Sequence, residues 1–250
     1  MTGCRRLLIG AMVAAAALTG GCAQEEPALT VLAAASLHEP FDELSARYTA
    51  ETGVAVELRS AGSPSLVDQL EHGAAGDVLA TADQASMDRA EKAGLLAEQP
   101  QVFAHNHMVI VTPAENPAHI QGLADLRAGA TVSVCALQVP CGAAAARVLE
   151  SAGITLSPLS EELSVTDVLG RVRAGEADAG LVYTSTARQA GEAVHVIPLE
   201  GADADPNHYP AAVLDAAQLP DEAQAFVDYL FSAEAQQLLA EAGFSRAENQ

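Results

Sequence analysis

The stretch Thr30-Val31-Leu32-Ala33-Ala34-Ala35-Ser36-Leu37 decides the fold, because a continuous apolar run passes directly into a helix start at a lone hydroxyl. A run without polar alternation is typical of a strand that is covered on both faces of a sheet. A helix start presents unpaired backbone N–H groups and the positive end of its dipole, which together favour a bound anion. The stretch therefore predicts an α/β fold in which Ser36 caps a helix, and it raises the question whether Ser36 also holds a ligand.

The rest of the chain repeats this arrangement of short apolar strands followed by helices that end at glycine. Such alternation is typical of an α/β architecture with mainly parallel sheets. A longer strand is expected over residues 102–112. Open α/β sheets bind their ligands at strand ends, and the candidate site residues at such positions are Ser36, Ser63, Cys141, Val165 and Tyr183. Each of them also has a purely structural interpretation, as a cap, an edge aromatic or a core residue.

The first residues have the pattern of an export signal. Two arginines precede an apolar run from Leu7 to Leu18, and a pair of glycines leads to Cys22. The run is shorter than the ~20 residues that a membrane-spanning helix needs, so cleavage is expected. The end of the run also resembles a bacterial lipoprotein signal, although the leucine lies one residue farther from the cysteine than usual. We expect residues 1–22 to be a signal peptide ending at Cys22, a candidate lipidation site, and residues 23–28 to be a tether.

Composition limits the partners. The chain has 250 residues and a net charge of −21, and the part after the signal is more acidic still. Nucleic acid and anionic membrane surfaces are poor partners for that charge. A small anion is not excluded, because salt screens distant carboxylates within about 8 Å. The length suits two lobes, which we place at residues 29–104 plus 209–250 and at residues 105–208, with the ligand in the cleft between them.

The cysteines leave one pair in the exported part of the chain. Cys4 departs with the signal and Cys22 is the candidate lipid site, so Cys135 and Cys141 remain. In an oxidising compartment, two cysteines six positions apart across a turn could form a disulfide. The alternative is a pair of buried, reduced thiols. A more distant alternative is an exported enzyme with Cys141 as its nucleophile, which no local signature supports.

Six segments, in the same order along nearly the whole exported chain, together resemble the extracytoplasmic molybdate-binding proteins of ABC transporters. They are Thr30–Leu37, Ala61–Ser63 with Leu66 and Gln69–Leu70, Gly76–Val78 with Thr81–Asp83, Val139–Gly142, Gly175–Tyr183, and Tyr209–Pro210. The resemblance implies a two-lobed periplasmic-binding-protein fold of type II. In this fold each lobe is a mixed, mainly parallel sheet flanked by helices, and a tetrahedral oxyanion lies between the lobes.

The resemblance also implies a role for each candidate residue. Ser36 and Ser63 would donate hydroxyl and backbone N–H groups from one lobe. Cys141 and Val165 would donate backbone N–H groups from the other lobe, and Tyr183 would donate its phenol. The ligand would be molybdate or tungstate, so molybdenum would be held as the oxyanion without direct protein–metal ligands, and no cofactor is implied. No lysine or arginine belongs to this set, which suits an acidic chain that meets an anion with oriented dipoles.

The function that follows from the resemblance is capture of molybdate and its delivery to the membrane permease of an ABC transporter. The protein would be an extracytoplasmic monomer and not an enzyme. It would contact the membrane through a lipid anchor if Cys22 is modified, and would otherwise be periplasmic or secreted. The nearest alternative is a binding protein of the same fold for another oxyanion, such as sulfate or phosphate.

Overall fold

The structure is a computed structural model that describes residues 28–127, 129–202 and 204–247. The expected signal peptide, the candidate lipid site Cys22 and all but the last residue of the expected tether lie outside these ranges. Within them, no helix combines the length and the hydropathy that crossing a membrane requires.

The chain begins with three strand-and-helix units and a fourth strand. These elements are β1 (Leu29–Ala34), α1 (His38–Thr52), β2 (Val56–Ala61), α2 (Ser63–Glu71), β3 (Val78–Ala80), α3 (Gln84–Lys92) and β4 (Gln101–Asn106). A short 3-10 helix, Ala35–Leu37, joins β1 to α1. Gly53 ends α1 with a φ of 80°, a left-handed conformation that costs glycine little. The expected order of strands and helices is thus present in this part.

The middle of the chain builds a second group of elements. They are β5 (Met108–Pro113), β6 (Val132–Cys135), α4 (Pro140–Ser151), β7 (Ser160–Glu162), α5 (Val165–Arg173), β8 (Ala179–Tyr183), α6 (Thr184–Ala190) and β9 (Val194–Pro198). The chain then returns through β10 (Asn207–Val213), α7 (Pro220–Tyr229), α8 (Ala233–Glu241) and the short β11 (Ser245–Arg246).

Two sheets organise these elements. The first has the strand order β11-β4-β10-β3-β1-β2 and the second has the order β7-β6-β8-β5-β9. In each sheet three strands pair in parallel, β2-β1-β3 and β7-β6-β8, as strand–helix alternation predicts. Antiparallel strands complete both sheets. Among them are β5 and β10, the strands with which the chain enters each sheet after crossing from the other. Each sheet packs its own buried apolar core, so the two-lobed α/β fold with mixed sheets is confirmed. The expectation that the sheets are mainly parallel is wrong, because five of the nine pairings between the described strands are antiparallel.

The prediction of a single strand over residues 102–112 is wrong. The chain forms β4 and β5 there, which lie in different sheets and are separated by His107 alone. The side-chain oxygen of Asn106 accepts a hydrogen bond from the His107 backbone N–H at 3.0 Å. The His107 carbonyl accepts one from the Thr184 N–H at 2.9 Å. The backbone groups of His107 are therefore used at the crossing, which ends the first strand before the second begins.

The second crossing leads back into β10. Asn207, its first residue, pairs with Asn106 in the first sheet. The lobe limits expected after residue 104 and before residue 209 therefore fall inside β4 and β10. The division into those lobe ranges stays a prediction.

The two sheets share one arrangement next to their central parallel strands. The Thr30 N–H donates to Asp77 Oδ2 at 2.7 Å, and the Asp77 N–H donates to the Thr30 carbonyl at 2.8 Å. The Thr131 N–H donates to Asp178 Oδ2 at 2.7 Å, and the Asp178 N–H donates to the Thr131 carbonyl at 2.8 Å. In both pairs the two residues are 47 positions apart. Hydrogen bonds from the Thr131 side chain and backbone lower the pKa of Asp178, so this carboxylate is held ionised.

Candidate functional site

All five candidate residues line one small pocket between the two sheets, and each is at most 3 % exposed. The other lining residues are Ala34, Ala35, Gly62, Ala82, Val139, Pro140, Leu163 and Ser164. The cavity volume is about 20 Å³. One water molecule needs ~10–15 Å³ on the same measure, so the pocket suits a small ligand.

Four helical segments begin at this pocket. They are the 3-10 helix at Ala35, α2 at Ser63, α4 at Pro140 and α5 at Val165. The first backbone N–H groups of a helix have no partner within it, and the helix dipole is positive at that end. No charged side chain is among the described residues that line the pocket. The pocket therefore offers dipoles and hydroxyl groups to an anion.

Ser36 does not act as the helix cap that the sequence predicts. Leu37 holds the cap position of α1, and no side chain makes a capping hydrogen bond there. The Ser36 hydroxyl lies instead 3.0 Å from the hydroxyl oxygen of Tyr209, a buried residue of β10. The reason is tertiary, since β10 brings a phenol to the end of β1, where the sequence pattern shows only a local helix start.

Ser63 is the first residue of α2 and also makes no capping bond. Its hydroxyl oxygen accepts a hydrogen bond from the backbone N–H of Ala82 at 3.0 Å. A serine hydroxyl has one hydrogen. Because the oxygen already accepts from Ala82, that hydrogen is available for a ligand in the pocket.

Cys135 and Cys141 form a disulfide with a Cα–Cα distance of 5.6 Å. It links the end of β6 to the first turn of α4, directly beside the pocket. The sulfur of Cys141 is therefore not a free nucleophile. Its backbone N–H belongs to the first turn of the helix, where intrahelical acceptors are absent.

Val165 begins α5, and its side chain packs in the core of the second lobe. The side chain of the preceding Ser164 caps the helix by accepting from the Asp167 N–H at 3.3 Å. The arrangement leaves the backbone of Val165 at the pocket while its side chain contributes to packing. Its side chain is thus a core residue, and only its backbone is placed to meet a ligand.

Tyr183 ends β8 and Tyr209 lies in β10, so the two phenols come from different sheets. Their ring centroids are 6.0 Å apart. Burial raises the pKa of Tyr183 well above its ordinary value and also raises the pKa of Tyr209. Both phenols therefore keep their hydrogens at neutral pH and are available as donors.

Asn207 is a contact residue of this site that sequence reasoning missed. Its side-chain nitrogen donates to the Tyr183 hydroxyl oxygen at 2.6 Å and to the Ala82 carbonyl at 2.9 Å. Its side-chain oxygen accepts from Arg147 at 2.7 Å. In the sequence, Asn207 lies in an acidic, irregular stretch, and no local pattern there indicates its partners.

The lobes approach closely at Gly62. A Cβ atom placed on this residue would lie 2.6 Å from the backbone oxygen of Leu163, in the other lobe. The backbone of Gly62 has φ −60° and ψ 138°, which other residues also adopt. The requirement for glycine here comes from the opposite lobe and not from the local chain.

Over residues 28–127, 129–202 and 204–247, no group of three or more His, Cys, Asp or Glu side chains is arranged to hold a metal ion.

A family model and a relative of high sequence identity place the chain in one family. The family model described as bacterial extracellular solute-binding protein matches residues 29–245. The molybdate-binding protein ModA of Mycobacterium bovis is 44% identical over 228 residues, which are 90% of this chain and 87% of that protein.

Two solved structures show how widely the fold is shared. The periplasmic molybdate-binding protein of Azotobacter vinelandii has a TM-score of 0.78 at 20% identity, over 88% of this chain and 100% of that chain. The sulfate-binding protein SubI of Mycobacterium tuberculosis has a TM-score of 0.73 at 21% identity, over 89% and 88% of the two chains. At these identities the likeness concerns the fold alone.

Proposed function

The chain belongs to the bacterial extracellular solute-binding proteins, and from this premise we propose that it captures molybdate, and also tungstate, in the pocket between its lobes. One observation carries the proposal. Five residues from two lobes meet at a single buried pocket where four helical segments begin and no charged side chain lies among the described lining residues. Neutral donors in such an arrangement suit a small dianion.

The proposed donors are those that the family resemblance implies, and their shared place at the pocket supports them. Ser36 and Ser63 donate hydroxyl and backbone N–H groups, Cys141 and Val165 donate backbone N–H groups, and Tyr183 donates its phenol. A hydrogen bond to a charged partner contributes about 1.5–3 kcal/mol. Micromolar affinity needs only about 8 kcal/mol, and association itself costs at least ~4 kcal/mol. Some six or seven bonds of this kind reach that requirement without a formal positive charge.

The protein is a binding protein and not an enzyme. Its relative in Mycobacterium bovis is named for molybdate binding, and the one candidate nucleophile, Cys141, has its sulfur in a disulfide. We propose that the loaded protein acts outside the cytoplasm as a monomer and delivers the oxyanion to an ABC permease. Light scattering of the purified chain tests the monomer.

Attachment to the membrane through Cys22 is a separate proposal. It rests on the lipoprotein-like pattern that precedes this cysteine. Mass spectrometry of the processed N-terminus from the native host tests it: a lipid adduct on Cys22 supports the anchor, and an unmodified N-terminus excludes it.

Calorimetric titration of the exported chain with molybdate, tungstate, sulfate and phosphate tests the ligand. We expect micromolar or tighter binding of molybdate and tungstate, and much weaker binding of the other two. Preference for sulfate would replace the ligand and leave the fold unchanged, because SubI shares that fold. Binding of none of the four would overturn the function.

A further inference from the structure

The side-chain amide of Asn207 has only one possible orientation. Arg147 donates to the side-chain oxygen at 2.7 Å, and an arginine can only donate. The Ala82 carbonyl, which can only accept, lies 2.9 Å from the side-chain nitrogen. Asn207 is 5 % exposed, so water does not offer a replacement for either partner. These two neighbours fix which end of the amide is nitrogen.

The fixed amide determines what the neighbouring phenol does. One hydrogen of the Asn207 nitrogen goes to Ala82, and the other goes to the Tyr183 hydroxyl oxygen at 2.6 Å. Tyr183 therefore accepts from Asn207. Its single hydrogen must be donated to a different group, and two acceptors are within its reach: the hydroxyl oxygen of the neighbouring Tyr209 and an oxyanion in the pocket. Burial raises the pKa of Tyr183, which keeps that hydrogen in place at neutral pH.

We propose that Asn207, oriented by Arg147, is a positioning residue that makes the Tyr183 hydroxyl a donor toward an oxyanion in the pocket. This inference rests on the proposed function. Asn207 belongs to the first sheet, whereas Tyr183 ends β8 and Arg147 lies on α4 of the second lobe. The donor at the end of a strand in the second sheet is thus aligned by a residue of the first sheet.

The same chain of hydrogen bonds extends from Asn207 to Ser63. The carbonyl of Ala82 accepts from Asn207, and the N–H of the same residue, which belongs to the preceding peptide group, donates to the Ser63 hydroxyl oxygen at 3.0 Å. The hydroxyl oxygens of Ser63 and Tyr183 therefore both accept a hydrogen bond from the protein. The hydroxyl hydrogen of each is not used in these two contacts and can be donated to an oxyanion in the pocket.

The role of Arg147 is to hold Asn207, since this arginine is not among the lining residues. Its other partner is Asp205, at 2.7 Å, in an ion pair whose side chains are 44% and 68% exposed. Exposed ion pairs contribute little. The hydrogen bond to Asn207 is thus the interaction through which Arg147 affects the pocket.

A double-mutant cycle tests the link between Asn207 and Tyr183. The substitution Asn207→Asp places an acceptor where the donor stands, so the phenol turns its hydrogen to the new carboxylate. Molybdate affinity is measured calorimetrically for the wild type, Asn207→Asp, Tyr183→Phe and the double variant. Repulsion between the new carboxylate and molybdate occurs in both backgrounds, so the cycle removes it.

We expect Asn207→Asp to weaken binding by about 10- to 100-fold more in the wild-type background than in the Tyr183→Phe background. An equal penalty in both backgrounds overturns the inference. If the wild type binds molybdate, such a result leaves the proposed function intact. If the wild type binds no oxyanion, both fail together.

Substitutions at Arg147 test the orientation without altering the pocket, and they carry the test alone if Asn207→Asp does not fold. Arg147→Lys keeps a donor and should stay within about threefold of the wild type, whereas Arg147→Met should bind about 3- to 10-fold more weakly. Equal affinities of these two variants overturn the inference.

Two matched controls accompany the series. Asp205→Asn removes the ion pair and leaves the bond to Asn207. Arg171→Met removes an arginine of the same lobe that pairs only with Glu162 and Glu176 among the described contacts. We expect both to bind as the wild type does. A loss in either that equals the loss in Arg147→Met overturns the inference, because charge alone then explains the effect.

Discussion

The hydroxyl oxygens of Ser36 and Tyr209 lie 3.0 Å apart although the two residues are separated by 173 positions. Both side chains are buried, so neither hydroxyl finds water as an alternative partner. The bond joins the end of β1 to β10 in the first sheet. Either hydroxyl can be the donor, and the bond holds the Ser36 oxygen in place before a ligand arrives.

Removing the phenol should therefore weaken molybdate binding without removing a ligand contact. We expect Tyr209→Phe to lower the affinity about 3- to 10-fold, since a neutral hydrogen bond contributes about 0.5–1.5 kcal/mol. Calorimetry measures the change. Tyr229→Phe is the matched control, because its hydroxyl is buried without a hydrogen-bond partner; a similar loss in that variant would contradict the role of the bond.

Gly62 should limit how closely the lobes approach. In Gly62→Ala the added methyl group meets the Leu163 backbone oxygen, 2.6 Å from the Cβ position. Relief of such overpacking costs about 1–3 kcal/mol, so affinity should fall about 10- to 100-fold. Small-angle scattering should show less compaction with molybdate than in the wild type.

The control for that experiment is Gly170→Ala, where a Cβ meets nothing within 4 Å. Its affinity and compaction should match those of the wild type. Normal binding and closure in Gly62→Ala would mean that the lobes shift past the methyl group, against the prediction.

The disulfide should stabilise the second lobe. The bridge spans six positions in sequence, and loop-closure entropy for such a short loop corresponds to about 2 kcal/mol. We expect the Cys135→Ser/Cys141→Ser variant to lose about that much free energy of unfolding in denaturant titrations. Molybdate binding should persist, because the proposed contact of residue 141 is its backbone N–H. Intact mass before and after reduction and alkylation verifies the bridge in the wild type, and an unchanged mass would exclude it.

Alkaline pH should destabilise the protein through its tyrosines. Burial is the main cause that raises the pKa of Tyr48, Tyr183, Tyr209 and Tyr229 above the ordinary value. A raised folded-state pKa gives stability that is complete below the unfolded-state value of about 10 and is lost as the pH rises through the folded-state values.

Denaturant unfolding from pH 8 to 11, together with phenolate absorbance, measures this effect. The free energy of unfolding should be insensitive to the tyrosines below about pH 10 and should fall above it. Phenolate that forms in the folded protein below that pH would contradict the burial of these groups.

The sequence was sufficient to predict the order of strands and helices in most of the chain, because apolar runs and glycine stops are local signals. It failed at His107, where an asparagine side chain and a distant backbone N–H end one strand and separate it from the next. It also missed α6, which follows β8 without an intervening loop, and the short polar strand β7.

The candidate site shows the same limit. Ser36, Ser63, Cys141, Val165 and Tyr183 were found together because strand ends and helix starts mark the pocket. Their hydrogen-bond partners, Ala82, Asn207 and Tyr209, were not assigned, since these contacts join residues that are far apart in sequence and meet only in the folded chain. Capping was predicted for Ser36 from a local pattern, and a tertiary hydrogen bond took its place.

The pairing of Thr30 with Asp77 in the first sheet matches that of Thr131 with Asp178 in the second, and the match extends to two residues at the pocket. The sequence distance from residue 63 to residue 164 equals that from 30 to 131 and from 77 to 178. Ser63 and Ser164 both lie at the pocket at the start of a helix. Each lobe thus brings a serine to a helix start at the pocket, but only Ser63 is a proposed donor, because the Ser164 hydroxyl caps its own helix. The two halves of the chain share one plan and differ in which residues meet the ligand.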